Sequence, residues 1–311
     1  MSIRMVAILS PPESAAGRRC CYWPRLVRIA PELLQGWRRL NGKRGAIAGL
    51  AGVAVLPKVE HKETDKVRMR LNKILLEVCV DDAEGLAAAI EGGADRIELC
   101  SALAIGGLTP SIGLMQLSAK APIPVMVMIR PRAGSFIWSE DELQIMEAEI
   151  AATRALGLPG VVIGANLPDG RLDQPALQRL VKAADGLEIA LHRSIDLTPD
   201  VVEAVEIAKQ LGVNRILSSG GAQKAVSGLE RLATMHKAAG DEIVVMPGSG
   251  VNIDTLPTIL AALPDIIEIH ASCSAPLPAD QTLLHFGFAA PGATRTAANK
   301  VAELRAALEQ S

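Results

Sequence analysis

From Ile74 onward the chain alternates short apolar runs with helical patterns, and it does so eight times. The runs are LLEVCV (75–80), RIELC (96–100), IPVMVMIRPR (123–132), LPGVVIG (158–164), LEIALHR (187–193), VNRILSSGG (213–221), EIVVMPGSG (242–250) and DIIEIHASC (265–273). Strands this apolar on both parities belong to a parallel sheet covered by helices on its outer face. Eight strand–helix units in about 240 residues match a (β/α)8 barrel in number and size. An open doubly wound sheet, with its usual six or so strands, would leave two runs unexplained. Between the runs, the spacing predicts helices near 111–119 and 174–184, and one from about Ser139, where Ser139 and Glu142 form a capping-box pattern. Further helices are expected from about Thr198, near 225–238 and 253–262, and as a closing segment over 299–309. The Pro-containing stretch from Ser274 to Pro291 reads as a loop beyond the eighth strand, placed to form a lid or a subunit contact.

In a barrel of this kind the site is built at the C-terminal ends of the strands. Residues two apart on a strand point the same way, so Glu77 and Cys79 share a face, as do Glu98 and Cys100. A right-handed crossover makes their strands parallel neighbours, which brings both pairs together. Other polar residues at strand ends are Arg130, Arg132, His192, Arg193, Ser218, Ser219, Glu268 and His270. Buried unpaired, Glu77 and Glu98 would be costly, so Arg130, Arg132 or Arg193 is expected to neutralise them. His192 and His270, with Glu77 and Glu98, are the candidate general acids and bases. The alternative is an ion-pair network that closes the barrel top. Two glycine turns, Ser219-Gly220-Gly221 and Gly248-Ser249-Gly250, offer backbone N–H groups to an anion, with Arg130, Arg132 and Arg193 as its charged clamp. A tight turn that needs positive φ explains the same glycines. Cys79 and Cys100 are candidate metal ligands, since soft thiolates select Cu(I) or Zn(II), but they have no CxxC spacing and also fit as packed hydrophobes.

Residues 1–72 read as a basic N-terminal extension outside the fold, and 73–311 as the barrel domain. Residues 1–73 hold fifteen Lys and Arg against five Asp and Glu, whereas 74–311 hold seventeen against twenty-nine. The acidic body argues against nucleic acid as a partner. Five cysteines, two of them adjacent at Cys20 and Cys21, suit a reducing compartment. The longest apolar run, residues 45–57, is shorter than the ~20 residues a bilayer crossing needs, so no membrane role is expected.

The motifs LLEVCV, GGADRIELC, GGLTPS, PVMVMIRPR, LHR, RILSSGG, MPGSGV and EIH, in this order, resemble the CutC family of copper-homeostasis-associated proteins. The resemblance runs from about Leu75 to His270 and departs from the family pattern at Ser194 and Ser249. It implies a single (β/α)8 barrel, a cytoplasmic setting, a homo-oligomer, and Cu(I) bound through Cys79 and Cys100. The residues also support a second class of function, an enzyme acting on a small anionic or phosphorylated substrate at the C-terminal face.

Overall fold

The computed structural model describes residues 73–310, so the basic segment 1–72 and Ser311 lie outside the described residues. Eight four- to six-residue strands form the sheet: β1 (Leu75–Val80), β2 (Arg96–Leu99), β3 (Val125–Met128), β4 (Gly160–Ile163), β5 (Glu188–Leu191), β6 (Arg215–Ser218), β7 (Val244–Pro247) and β8 (Glu268–Ala271). They pair in parallel in the order β7-β6-β5-β4-β3-β2-β1-β8, and β7 packs against β8 to bring the ends together. This is the (β/α)8 barrel the alternation demands.

Helices fill the crossovers, from α1 (Ala83–Glu91), α2 (Ile112–Ser118) and α3 (Glu140–Ala155) through α4 (Gln174–Ala183), α5 (Val201–Gln210), α6 (Leu229–Ala239) and α7 (Leu256–Ala262). Side chains of Asp82, Ser111, Ser139, Asp173 and Asp200 cap the first five. Ser139 and Glu142 form the reciprocal capping box at α3, satisfying N–H groups the helix itself leaves open.

Strand parity then separates two interiors. Leu76, Val78, Ile97, Leu99, Val127 and Ile163 point outward into one apolar layer shared with the helices. The opposite parity lines the barrel, where Cys100, Met126, Met128, Val162 and Ala190 pack together. The stretch beyond β8 is more ordered than a loop. Strands β9 (Ser274–Pro276) and β10 (Thr294–Thr296) pair antiparallel and bracket the short α8 (Gln281–His285), before α9 (Ala298–Glu309) closes the chain. Among the described residues no helix is long and apolar enough to cross a membrane.

Candidate functional site

The register of three neighbouring strands builds the first wall of the site. Cys79 of β1 lies beside Glu98 of β2, and Glu77 of β1 beside His270 of β8. One donor atom each from Cys79, Glu98 and His270 lies within 4.8 Å of the other two, and all three residues are buried. His270 bridges the acids, with Nδ1 2.9 Å from Glu77 Oε1 and Nε2 3.8 Å from Glu98 Oε2. The Cys100 thiol donates to Glu98 Oε2 at 3.6 Å, so the second cysteine joins the group through the carboxylate. Glu98 Oε1 is buried with no partner.

The arginine that neutralises Glu77 is none of the three expected from the sequence. It is Arg96, on the inward parity at the start of β2, where the register sets it directly beside Glu77. Arg96 donates from Nε to Glu77 and from Nη2 to Glu268. Arg215 continues the network below, 3.3 Å from Glu268 and 2.8 Å from Glu188. Sequence reasoning missed Arg96, Arg215 and Glu188 because it read only the C-terminal strand ends, while these residues charge the barrel floor.

Burial would raise the Glu77 carboxyl, but Arg96 and then His270 outweigh it and hold it at about 2. Glu98 goes the other way: burial pushes it up and Glu77 adds to that, against the opposing charge of His270. Burial also opposes protonation of His270, yet Cys79, Glu98 and Glu77 raise it well above its ordinary value. The Cys100 thiol is pushed far up by burial and by Glu98, and Cys273 rises to about 12 through burial and Cys79.

The remaining residues named from the sequence divide sharply. Arg130 and His192 line the same cavity as Cys79, Glu98 and His270, a space of about 480 Å³. Arg132 turns away to pair with Glu142 and to stack over Trp138 at 4.8 Å. The first glycine turn already holds an anion of the chain's own. Asp196, in the turn after β5, accepts the N–H of Ser219 at 3.1 Å and of Gly221 at 3.0 Å. It also accepts the Ser218 hydroxyl at 2.6 Å and pairs with Arg193 at 2.9 Å. The cradle therefore ties β5 to β6 instead of facing an outside ligand. In the second turn Gly248 donates to Ser218 O at 2.9 Å, a Cβ there would meet Leu217 at 2.4 Å, and Ser249 and Gly250 reach the cavity. Asp196 carried no motif; its contacts with the glycine turn lie 22 to 25 residues away.

One glycine shapes the far wall. A Cβ on Gly164 would come within 2.1 Å of His192 Cε1, so the residue that follows β4 must be glycine for the imidazole to sit there.

A thiol, an imidazole and a carboxylate converging in a buried corner, with one carboxylate oxygen unmet, fit a soft-to-borderline metal ion. Fold and site together define a (β/α)8 barrel protein with a metal-capable cluster at its mouth. The CutC family profile matches residues 74–275, and the chain belongs to that family. The family protein CutC of Sinorhizobium medicae (strain WSM419) is 52% identical over 240 residues, covering 77% of this chain and 98% of the relative. That of Caulobacter vibrioides (strain NA1000 / CB15N) is 47% identical over 243 residues, covering 77% and 99%. A crystal structure from Streptococcus agalactiae, described as a candidate copper homeostasis protein CutC, superposes with a TM-score of 0.61 at 29% identity. It covers 64% of this chain and 98% of its own.

Proposed function

We propose that this chain is a copper-homeostasis protein that takes copper as cargo at the barrel mouth, through Cys79 with His270 and Glu98, and with Cys100 beside them. The observation that carries this reading is the convergence of three buried donor atoms within 4.8 Å. The copper-homeostasis description of the Streptococcus agalactiae structure supports the choice of metal. Cu(I) is the form that suits a thiolate and an imidazole, and Cys79, Cys100 and Cys273 are free thiols. That redox state fits a cytoplasmic setting. The raised His270 means copper must displace a proton to use this ring, so affinity falls as pH falls. A homo-oligomer is expected and is read by sedimentation.

Anaerobic Cu(I) titration of the full chain against a competing chelator tests the reading. It is done in a Cys20→Ser/Cys21→Ser background so that these adjacent thiols, outside the described residues, do not contribute. We expect one copper per chain, lost in Cys79→Ser and weakened in Cys100→Ser. Affinity that is unchanged by Cys79→Ser overturns the proposal.

A further inference from the structure

The cavity wall also carries two buried donor atoms, Arg130 Nε and His192 Nε2, that have no partner among the described residues. Arg130 is 5% exposed, and among the described residues no carboxylate pairs with it. Its Nη1 donates to the carbonyls of Ile105 and Gly107 at 3.0 and 2.9 Å, and its Nη2 to Gly134 at 3.2 Å. Those carbonyls fix the guanidinium in place without cancelling its charge, and Nε is left with no acceptor. A buried cation without a counter-charge is costly unless something else supplies one.

His192 presents the second donor. Its Nδ1 accepts the Ser194 N–H at 3.1 Å, which places the proton of the neutral ring on Nε2. Nε2 is buried and has no partner. Burial, with the nearby Arg130 charge, holds the ring pKa at about 3, so it stays a neutral N–H donor. Phe136 joins the two residues: its ring lies 4.8 Å from the His192 ring and 4.9 Å from Arg130 Cζ. All three line the one cavity.

We infer that this wall binds the carboxylate of a small hydroxy acid, with Arg130 supplying the charge and His192 Nε2–H a hydrogen bond. One uncompensated cation matches a single negative charge. A phosphate dianion would bring a second negative charge that no unpaired cation in this wall meets. Glu98, with Oε1 unmet, lines the same cavity and is suited to accept from a ligand hydroxyl. A volume of about 480 Å³ is in the range of small-molecule sites. The carboxylate contacts do not rest on the copper reading, because neither Arg130 nor His192 belongs to the metal-capable group; Glu98 is common to both, so its contact with the hydroxyl is made in the metal-free protein.

The test uses metal-free full-length protein, so its failure is separate from any failure of copper binding. Calorimetry with glycerate and lactate, against inorganic phosphate and sulfate, is run on wild type, His192→Asn and His192→Gln. Asparagine keeps an acceptor for the Ser194 N–H but removes the Nε2 donor, whereas glutamine retains a donor near that position. We expect saturable binding of at least one hydroxy acid, weakened at least about tenfold in His192→Asn and less in His192→Gln. The ¹⁵N signal of His192 Nε2 in wild type, which needs no variant to fold, should move on saturation. No binding of either acid, binding equal in His192→Asn, an unmoved ¹⁵N signal, or phosphate bound as tightly as the acids would each overturn the inference.

Discussion

His270 Nδ1 lies 2.9 Å from Glu77 Oε1, and the two residues sit side by side in the β1–β8 register. The contact orients the imidazole so that Nε2 turns toward Glu98 and Cys79, the arrangement in which a carboxylate behind a histidine tunes a metal ligand. Arg96 on the other oxygen keeps Glu77 ionised. Glu77 therefore acts on the site without belonging to it. Glu77→Gln should lower Cu(I) affinity about 10- to 100-fold with Cys79 intact, measured by the same chelator competition. Unchanged affinity would mean that the imidazole needs no carboxylate behind it.

Arg96 is the pivot of the floor, and both of its acidic partners are buried. Removing it leaves two carboxylates short of charge in a dry interior, although His270 and Arg215 still reach one each. Arg96→Met should cost about 3 kcal/mol, the low end for breaking a buried pair. In a domain of this size that is a fall in Tm of roughly 6 °C, read by thermal denaturation. A variant as stable as wild type would show that the network contributes no net stability.

The contrast between Arg96 and the arginines singled out first marks what the chain discloses on its own. Strand parity and right-handed crossovers are local rules, and they sufficed to bring Glu77, Cys79, Glu98 and Cys100 together; His270 joins them because β8 closes the barrel against β1. Ion pairing depends on register between strands, which no single run contains: Arg96 meets Glu77 only because β1 and β2 align those residues. Asp196 is a sharper case. Nothing in LHRSIDL sets this aspartate apart, and its role exists only once the β5 and β6 turns meet. The pairing of β9 with β10 escaped for the same reason, since three-residue strands joined by a long excursion leave little periodic signal.

The pH dependence of stability should carry the signature of His192. In the folded protein burial, with Arg130, holds its pKa at about 3, while in the unfolded chain it titrates near 6.5. Below pH 6.5 the unfolded state therefore binds a proton that the native state refuses. Stability falls as pH drops from about 6.5 toward 3, by about 1.4 kcal/mol per unit from this residue. His192→Asn removes that slope. His270 is shifted the opposite way, but it is present in both proteins and drops out of the difference. Denaturant melts of the pair between pH 7 and 4 should diverge at neutral pH and converge in acid; parallel curves would refute the neutral buried ring.

Asp196 behaves as a built-in anion, and replacing it should turn a structural contact into a binding site. Asp196→Ala leaves the amides of Ser219 and Gly221, the Ser218 hydroxyl and Arg193 without their shared acceptor. Stability should drop by about 2–4 kcal/mol, the cost of several unmet buried donors. Phosphate or sulfate can then occupy the vacated cradle, because amides on a turn and a nearby guanidinium suit an oxyanion. At about ten times its Kd the anion restores about 1.4 kcal/mol to the variant and leaves the wild type unmoved through this cradle. Melting both proteins over a phosphate series at constant ionic strength separates specific binding from screening. If the variant gains no more than wild type, the amides have collapsed onto one another, and Asp196 holds the turn open instead of merely filling it.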